Sequence, residues 1–495
     1  MLLLGIDLGT SSIKVSVMDA SSQKIIASTS FPDKETPIIS PQSGWAEQDP
    51  NTWWQHIKGA ILKLNASHLY QPSDIKYIGI AYQMHGLVLL NKQGESLRNA
   101  IIWCDSRAVE IGQHALLTLK EEKFLKDHLN SPGNFTASKL KWVKEYEPNI
   151  FEKIHHLMLP GDFVSYRFTG EANTTISALS EGIFWNFREK NISNTLLDHY
   201  GFDRNLIPDV HSVFEDHGKI LPTVAHELGL STDIRVTYKA GDQPNNALSL
   251  GALEPGEVAA TAGTSGVIYG VTDQLVHDEH SRVNTFAHVN YSRELPRLGV
   301  LLCINGTGIT NSWIRQITGA SQSYEQMNAI AENSPIGAKK LYTLPFGNGA
   351  ERMLRDRVLQ ASVNEIDFNR HTQAELFRSA QEGVAFSFRY GLDILRANGM
   401  MPSNIRAGNA NMFLSDVFRQ AFVGVTNTPL ELYENDGSVG AAIGAGIGAK
   451  VYKDASEGIK NLASKSSIEP KKLETEQYEE HYQNWKKLLI DKLNN

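Results

Sequence analysis

The first residues of the chain place an acidic side chain directly before a turn of small hydroxyl residues. The apolar run Leu2–Ile6 reaches Asp7, and Gly9, Thr10 and Ser11 form the turn that follows. Glycine lets the backbone approach a ligand closely, and the N–H groups and hydroxyls of such a turn can donate to phosphate oxygens. A carboxylate beside them can hold a hydrated Mg²⁺. The pattern predicts a phosphate-binding turn, and a tight hairpin with solvated hydroxyls is the alternative.

A second turn of the same type occurs half a chain later. Gly263, Thr264 and Ser265 stand between two strand-like stretches, Glu257–Ala262 and Gly266–Gly270. Two related halves that each offer a phosphate-binding hairpin to a shared cleft are typical of the actin-like ATPases, which the chain resembles in this respect. The repeat favours an α/β protein with a two-domain actin-like ATPase (ribonuclease H-like) fold and an interdomain cleft. The alternative is a pair of unrelated hairpins.

Asp242 is the candidate for a general base. It follows Gly241 and the predicted strand Val236–Ala240, so the end of that strand brings it to the cleft. Phosphoryl transfer to a small hydroxyl compound needs an acceptor for the hydroxyl proton, whereas the rest of the catalysis comes from positioning and charge neutralisation. The alternative is that Asp242 only caps the helix predicted from Gln243 onward.

Two further polar residues follow predicted strands. His85, in the segment Gln83–Gly86, either contacts a substrate hydroxyl or is a packed turn residue. Asp105 either accepts hydrogen bonds from a polyol or pairs with Arg107. The polar segment Thr174–Gly182 is expected to border the same cleft.

Several amphipathic or small-residue elements are expected to support these groups. Apolar residues recur at helical spacing from Phe377 to Leu395, which predicts a helix with one face in the core. The Gly- and Ala-rich run Gly437–Ala449 predicts a tightly packed helix rather than a phosphate loop. The C-terminal segment has an amphipathic face that is expected to dock on the body of the protein or on a second subunit, formed by Tyr478, Tyr482, Trp485 and Leu489.

Bulk composition limits the domain number and the partners. A chain of 495 residues is too long for one core, and we predict two domains, residues 1–252 and 253–495, with the boundary near Gly251–Gly256. The formal net charge of −8 offers no basic face to nucleic acid or to an anionic membrane. No apolar run approaches membrane length, and Asp7 interrupts the first one, so neither a signal peptide nor a membrane span is expected.

The cysteines and the known catalytic motifs narrow the chemistry. Cys104 and Cys303 lie in apolar, strand-like contexts, so we expect buried free thiols and a reducing cytoplasmic location. The sequence contains no Walker A motif, no protein-kinase His-Arg-Asp or Asp-Phe-Gly motif and no zinc motif. What remains is a nucleotide cleft with clusters of small polar residues.

Eight segments together resemble the FGGY carbohydrate kinases over nearly the whole chain. They are Gly5–Lys14, Gln83–Gly86, Trp103–Arg107, Lys139–Trp142, Leu159–Asp162, Gly241–Asp242, Gly263–Gly266 and Gly440–Ala442. Within that family, the second and third segments look most like those of the xylulokinases. The sequence departs from the family pattern at three places: near Gly408–Asn411, at Ala350–Leu354 and at Gln243–Asn245.

The resemblance implies an ATP- and Mg²⁺-dependent transfer of the γ-phosphoryl group to the terminal hydroxyl of D-xylulose. It implies that Asp242 is the catalytic base and that Asp7 is the metal-side carboxylate. The residues that it implies for the sugar are Gln83, Met84, His85, Asp105 and Asp242. Those that it implies for the nucleotide are Thr10, Ser11, Lys14, Gly263, Thr264, Ser265, Gly306, Gly408, Asn409 and Asn411.

Two other functions remain open at the level of the sequence. One is an FGGY kinase for another ketose, a polyol or an aldonate, such as ribulose, glycerol or gluconate. The segment Gln83–Gly86 argues against it. The other is an actin- or chaperone-type ATPase, which has a similar opening but lacks a sugar pocket. A homodimer is the expected assembly if the C-terminal face meets a second subunit.

Overall fold

The computed structural model describes residues 1–319, 321–462 and 464–494. The strands up to residue 241 are β1 Leu2–Leu8, β2 Ile13–Asp19, β3 Ile25–Phe31, β4 Glu47–Gln48, β5 Ile75–Tyr82, β6 Val88–Leu90, β7 Ala100–Ile101, β8 His156–Met158, β9 Asn173–Thr175, β10 Trp185–Asn186, β11 Asn191–Ile192, β12 Asp209–His211, β13 Gly218–Lys219 and β14 Arg235–Gly241. The helices up to residue 249 are α1 Pro50–Asn65, α2 Val109–Thr118, α3 Glu121–His128, α4 Thr136–Tyr146, α5 Pro148–Phe151, α6 Pro160–Thr169, α7 Ile176–Glu181, α8 Asn194–Tyr200, α9 Pro222–Leu228 and α10 Asp242–Ser249.

The remaining elements belong to the second half of the chain. Its strands are β15 Glu257–Ala262, β16 Gly266–Thr272, β17 Asn284–Ala287, β18 Leu298–Ile304, β19 Tyr342–Leu344, β20 Ala350–Glu351, β21 Arg357–Val358, β22 Ser362–Asn364, β23 Asn404–Gly408, β24 Leu430–Tyr433 and β25 Ser466–Ile468. Its helices are α11 Gly308–Gly319, α12 Tyr324–Glu332, α13 Gln373–Ala397, α14 Asp416–Thr426, α15 Gly437–Gly448, α16 Ala455–Gly458 and α17 Lys472–Asn494.

The two large sheets share one topology. The first has the order β13-β14-β5-β1-β2-β3, and the second has the order β17-β18-β16-β15-β23-β24-β25. In the first sheet, β1 is antiparallel to β2 and parallel to β5, which is in turn parallel to β14. In the second sheet, β15 is likewise antiparallel to β16 and parallel to β23, which is parallel to β24. The repeated topology confirms the predicted two-fold, actin-like architecture.

Helix α15, from the second half of the chain, packs directly on the first sheet. A Cβ atom on Gly5 would lie 1.9 Å from the backbone oxygen of Ser438, and one on Gly79 would lie 1.9 Å from that of Ala441. Glycine is required at both strand positions because the helix backbone occupies the space of a side chain. The Gly- and Ala-rich run is therefore the closely packed helix that the sequence predicts.

Helix α17 docks on the body of the second half, as predicted. Its residues Tyr478, Tyr482, Trp485 and Leu489 are fully buried. Their polar atoms are paired as well: the Tyr482 hydroxyl donates to Asp393 at 2.7 Å, and Trp485 Nε1 donates to the backbone oxygen of Thr343 at 2.8 Å. The apolar face is covered within the chain, so the homodimer stays a proposal.

The expectation of buried cysteines is wrong. Cys104 and Cys303 are free and exposed. Strand β7 ends at Ile101, so Cys104 lies in the turn after it, and Cys303 is an outward position of β18, between the buried Leu302 and Ile304. Among the described residues, no helix is both long enough and apolar enough to cross a bilayer.

Candidate active site

The first hairpin presents its turn at the end of the first sheet. Asp7 on β1 and Lys14 on β2 are cross-strand partners, and the turn between them is tight because the N–H of Gly9 meets the backbone oxygens of Asp7 and Ser12, each at 3.2 Å. The Thr10 hydroxyl donates to Gln83 at 3.3 Å and accepts from the indole N–H of Trp103 at 2.9 Å. The turn is thereby connected to the two segments predicted for the sugar.

Asp242 stands at the end of the strand that the sequence predicts. It is the first residue of α10, and the N-cap position belongs to Gly241, which offers no side-chain hydrogen bond. The Asp242 carboxylate accepts from Gln243 Nε2 at 3.2 Å. The structure therefore does not use Asp242 as the side-chain cap, so the capping alternative is not supported.

Asp7 and Asp242 form a pair of interacting carboxylates. Burial raises the pKa of Asp242 to about 7, and the negative charge of Asp7 adds to that shift. Burial also raises the pKa of Asp7 to about 6, where Lys14 opposes the shift and Asp436 supports it. The N-terminus of α15 contributes to this crowding, since a Cβ atom on Gly437 would lie 2.4 Å from Asp7 Oδ2. A carboxylate with a pKa near neutrality can accept a proton at physiological pH.

The segment after β5 lies beside the same pair. Gln83 is buried and donates to Gln48 at 3.2 Å. Met84 packs against the backbone of Gly241, where a Cβ atom would lie only 2.6 Å from Met84 Cγ. The sugar-side segment therefore abuts the residue that precedes Asp242, as the prediction of a shared site requires.

His85 is held in one orientation and one tautomer. Its Nδ1 lies 3.0 Å from the backbone oxygen of Glu181, and its ring packs edge-on against Phe135 with centroids 4.8 Å apart. Burial, with support from Lys139 and Arg352, lowers the pKa of His85 to about 3, so the ring is neutral. Since a carbonyl can only accept, Nδ1 carries the hydrogen, and Nε2 is left as an acceptor for a hydroxyl.

Asp105 is fully buried and paired. Its carboxylate accepts from Arg107 at 2.7 and 2.9 Å and from the backbone N–H of Ala46 at 2.6 Å. The Arg107 guanidinium also stacks on Trp45, with 3.9 Å to the ring centroid. In the structure Asp105 therefore pairs with Arg107, and a direct contact of Asp105 with a sugar stays a prediction.

The second hairpin is supported by the start of α11. The backbone N–H of Gly308 donates to the oxygen of Gly263 at 2.9 Å, and that of Ile309 donates to the oxygen of Thr264 at 3.2 Å. A Cβ atom on Gly308 would lie 2.4 Å from the Gly263 oxygen, which explains the glycine. Thr264 and Ser265 remain exposed, so their hydroxyls are available to a ligand.

The segment predicted for the adenine side reaches the second turn. Strand β23 ends at Gly408, and Asn409 is tied to the backbone oxygen of Tyr433 at 2.7 Å. Asn411 has a φ of +56°, and its Nδ2 would lie 3.6 Å from a Cβ atom on Gly263. Asparagine is among the residues that tolerate this left-handed conformation. Asn411 and the second turn are therefore neighbours.

Gly306 is buried rather than open to a ligand. A Cβ atom there would lie 1.6 Å from the backbone oxygen of Pro345, and its N–H donates to Glu351 at 3.1 Å. Glu351 also accepts from the backbone N–H of Asn305 at 3.0 Å. The structure assigns Gly306 to the support of the loop before α11, and a nucleotide contact there stays a prediction.

Glu181 is a buried acid that the sequence did not single out by itself. It is 1 % exposed, and neither carboxylate oxygen has a hydrogen-bond partner among the described residues. One oxygen lies against the backbone before Asp242, since a Cβ atom on Gly241 would be 2.9 Å from it. Burial raises the pKa of Glu181 well above its usual value. The available signal was its place in the polar segment Thr174–Gly182, which was expected to border the cleft.

The donor set fits Mg²⁺ held together with phosphates. Among the described residues, no group of three or more His, Cys, Asp and Glu side chains forms a protein metal cage. Mg²⁺ usually keeps several waters and is bound by one or two carboxylates plus substrate phosphates. Asp7, beside the Thr10–Ser11 turn, is a carboxylate of that kind.

Comparison with known proteins identifies the family. Residues 2–249 match the FGGY family of carbohydrate kinases, N-terminal domain, and residues 258–449 match the C-terminal domain of the same family. The chain belongs to the FGGY family of carbohydrate kinases. FGGY kinases use ATP and a sugar substrate.

Individual FGGY proteins resemble this chain over nearly its full length. The xylulose kinase of Escherichia coli (strain K12) is 29% identical over 483 residues, which are 97% of this chain and 96% of that protein. The structure of a xyloylose kinase from Brucella ovis has a TM-score of 0.88 at 26% identity, covering 99% of this chain and 98% of the other. That of a gluconate kinase from Lactobacillus acidophilus has a TM-score of 0.90 at 22% identity, covering 99% and 98%.

Proposed function

We propose that this chain transfers the γ-phosphoryl group of ATP to the terminal hydroxyl of D-xylulose. The observation that carries the proposal is the position of Asp242 beside Asp7 and next to the Met84–His85 segment, where burial raises the pKa of Asp242 to about 7. The similarity to full-length relatives named xylulose kinases supports the choice of sugar.

Asp242 is the general base in the proposed reaction. The sugar hydroxyl oxygen attacks the γ-phosphorus, the bond from that phosphorus to the bridging oxygen of ADP breaks, and the hydroxyl proton passes to Asp242. A base with a pKa near the operating pH is best suited to this transfer. Most of the remaining rate enhancement comes from aligning the two substrates and neutralising phosphate charge.

The two hairpin turns bind the phosphates from opposite sides. Thr10 and Ser11 belong to the first sheet, and Thr264 and Ser265 belong to the second. Their hydroxyl and backbone N–H groups donate to phosphate oxygens. Asp7 would hold Mg²⁺ through water, and the ion, when bound, neutralises charge on the β- and γ-phosphates.

His85 orients the sugar in this proposal. Because Nδ1–H is committed to the backbone oxygen of Glu181, Nε2 can only accept, so it recognises a hydroxyl as a donor. Ketoses, polyols and aldonates all carry hydroxyls, so this contact suits a hydroxylated substrate, and the choice of D-xylulose rests on the relatives named xylulose kinases.

A sugar panel tests the substrate. ADP release is measured with D-xylulose, D-ribulose, glycerol and gluconate, with Asp242→Asn enzyme as the blank for non-specific hydrolysis. We expect the highest kcat/KM with D-xylulose and little ADP release without sugar. A higher kcat/KM for another acceptor would make that compound the substrate and leave the proposed kinase activity in place. Release of ADP that does not depend on sugar would favour an actin-type ATPase.

The remaining proposals concern the two domains, the location in the cell and the oligomeric state. We propose that residues 1–252 form the sugar-binding domain with the catalytic base, and that residues 253–495 form the nucleotide-binding domain. We further propose that the protein acts in the cytoplasm as a homodimer. Light scattering of the purified protein tests the dimer, and a monomeric mass at micromolar concentration would contradict it.

A further inference from the structure

The start of helix α4 lies behind the proposed sugar site. The side chain of Lys139 is fully buried, and its Nζ donates to the backbone oxygens of His85 and Ile102, each at 2.9 Å. Two weaker contacts join the same turn of the helix to the site, from Thr136 Oγ1 to the Gly86 oxygen at 3.4 Å and from the Ala137 N–H to the Gly182 oxygen at 3.1 Å. One helix turn thus holds three separate segments together.

Lys139 carries a charge that is costly to bury. Burial lowers the pKa of its amine to about 7, against the pull of Asp105. Asp105, the acid with the largest effect on this pKa, is already paired with Arg107 and is therefore not a dedicated partner of Lys139. An apolar side chain of the same length would avoid this cost. What only lysine offers here is a set of N–H donors that reaches two backbone carbonyls at once.

Lys139 holds the carbonyl of His85, which lies within the segment Gln83–Gly86, and that of Ile102, which directly precedes the segment Trp103–Arg107. His85 has a φ of +61°, a conformation that a residue other than glycine keeps only when its surroundings enforce it. Ile102 precedes Trp103, whose side chain is 51% exposed and whose indole N–H reaches the Thr10 hydroxyl. Loss of the Lys139 bonds would release both His85 and Trp103.

We propose that Lys139 is a positioning residue that sets the sugar site by clamping the carbonyls of His85 and Ile102, without touching the substrate itself. The inference rests on the proposed sugar kinase activity. It predicts that Lys139 governs sugar recognition rather than nucleotide binding, because among the described residues no hydrogen bond joins α4 to the second phosphate turn or to the adenine-side segment.

Lys139→Met and Lys144→Met make a matched pair for the test. Lys144 lies on the same helix, and its Nζ also donates to two backbone oxygens, those of Tyr200 and Gly201, but at the end of α8. Both variants lose an amine that bridges two carbonyls. The assay uses whichever sugar the wild type turns over with the highest kcat/KM, and records KM for sugar, KM for ATP, kcat and Tm.

We expect Lys139→Met to raise the sugar KM roughly 10- to 100-fold and to leave the ATP KM within about 2-fold. Lys144→Met should lower Tm and leave the sugar KM unchanged. If Lys139→Met does not fold, Lys139→Arg keeps the charge but displaces the donors, and should still raise the sugar KM.

Four outcomes would overturn the inference, and they differ in whether the proposed kinase activity survives. An unchanged sugar KM in a folded Lys139 variant of an active kinase would remove the positioning role and leave the kinase intact. Equal rises in the sugar and ATP KM values, or an equal rise in Lys144→Met, would reduce Lys139 to a general structural role. A wild type that phosphorylates no sugar would remove the proposed function and the inference with it.

Discussion

Two acids at one end of the first sheet influence each other's environment in the candidate site. Asp7 is the last but one residue of β1 and Asp242 follows β14, with β5 between these strands. Burial raises the pKa of Asp242 to about 7, and the negative charge of Asp7 adds to that shift because it disfavours a second ionised carboxylate.

Replacing Asp242 by asparagine tests the base directly. Asp242→Asn keeps the size of the side chain but loses the proton acceptor, so kcat should fall about 10²–10⁴-fold while ATP affinity stays near that of the wild type. Steady-state kinetics and nucleotide titration measure both. Asp416→Asn is the control, since Asp416 is also the first residue of a helix, α14, but is exposed. Near-normal kcat in Asp242→Asn would direct attention to Asp7 or Asp105.

The raised pKa of Asp242 also predicts a pH-dependent stability. The folded state binds more protons than the unfolded chain between the unfolded pKa of 3.8 and the folded value of about 7, so stability falls as pH rises through this range. Asparagine cannot ionise. In the absence of nucleotide, Asp242→Asn should therefore exceed the wild type in Tm at pH 8, and the difference should shrink at pH 5. A difference that is constant with pH would contradict the assigned pKa.

At the scale of elements, helices from the end of the chain complete both halves. Helix α15 lies on the first sheet and brings Gly437 against Asp7, and helix α17 covers the core of the second half. Neither contact depends on strand pairing. Each depends on the match of one helix face to a surface: small residues in α15 and large aromatic ones in α17.

Two tryptophans on different helices test the docking of α17. Trp485 is fully buried and donates to the Thr343 oxygen, so Trp485→Ala should destabilise the protein by about 3–5 kcal/mol. Trp313 on α11 is 53% exposed, and Trp313→Ala should change stability by less than about 0.5 kcal/mol. Urea unfolding followed by circular dichroism compares them. Similar small losses in both variants would mean that α17 contributes little to the fold.

At the scale of the whole molecule, the two turns proposed to bind the phosphates belong to different sheets, so in this proposal neither half surrounds the phosphates alone. The halves already meet beside the site, where the His85 and Phe286 rings lie 5.2 Å apart and the Ser177 hydroxyl donates to the Ala287 oxygen at 2.9 Å. Closure around both substrates would exclude water, which otherwise competes as the phosphoryl acceptor.

Small-angle scattering tests closure. The radius of gyration should decrease when the sugar and a non-hydrolysable ATP analogue are added together, and should decrease less with either alone, because only the ternary complex engages both turns. Samples that contain the sugar without nucleotide are the control. Identical scattering curves for the free and ternary states would contradict a closing motion.

Local patterns were sufficient to predict the main elements around the candidate site. The alternation around the two Gly-Thr-Ser turns predicted the hairpins, because the side-chain period of a strand is a property of adjacent residues. The position of Asp242 at the end of its strand followed in the same way. Helical spacing likewise predicted α13 and the buried face of α17.

Tertiary structure decided the burial, pairing and protonation of side chains whose neighbours lie far away in the sequence. Cys303 was misjudged as buried because the sequence does not tell which face of a strand the sheet covers. The pairing of Asp105 with Arg107, the tautomer of His85 and the burial of Glu181 all depend on neighbours that only folding supplies. The clamp formed by Lys139 joins residues 37 to 54 positions away, and no local period encodes contacts of that range. The sequence by itself determined which groups could react, and packing determined which neighbours each of them has.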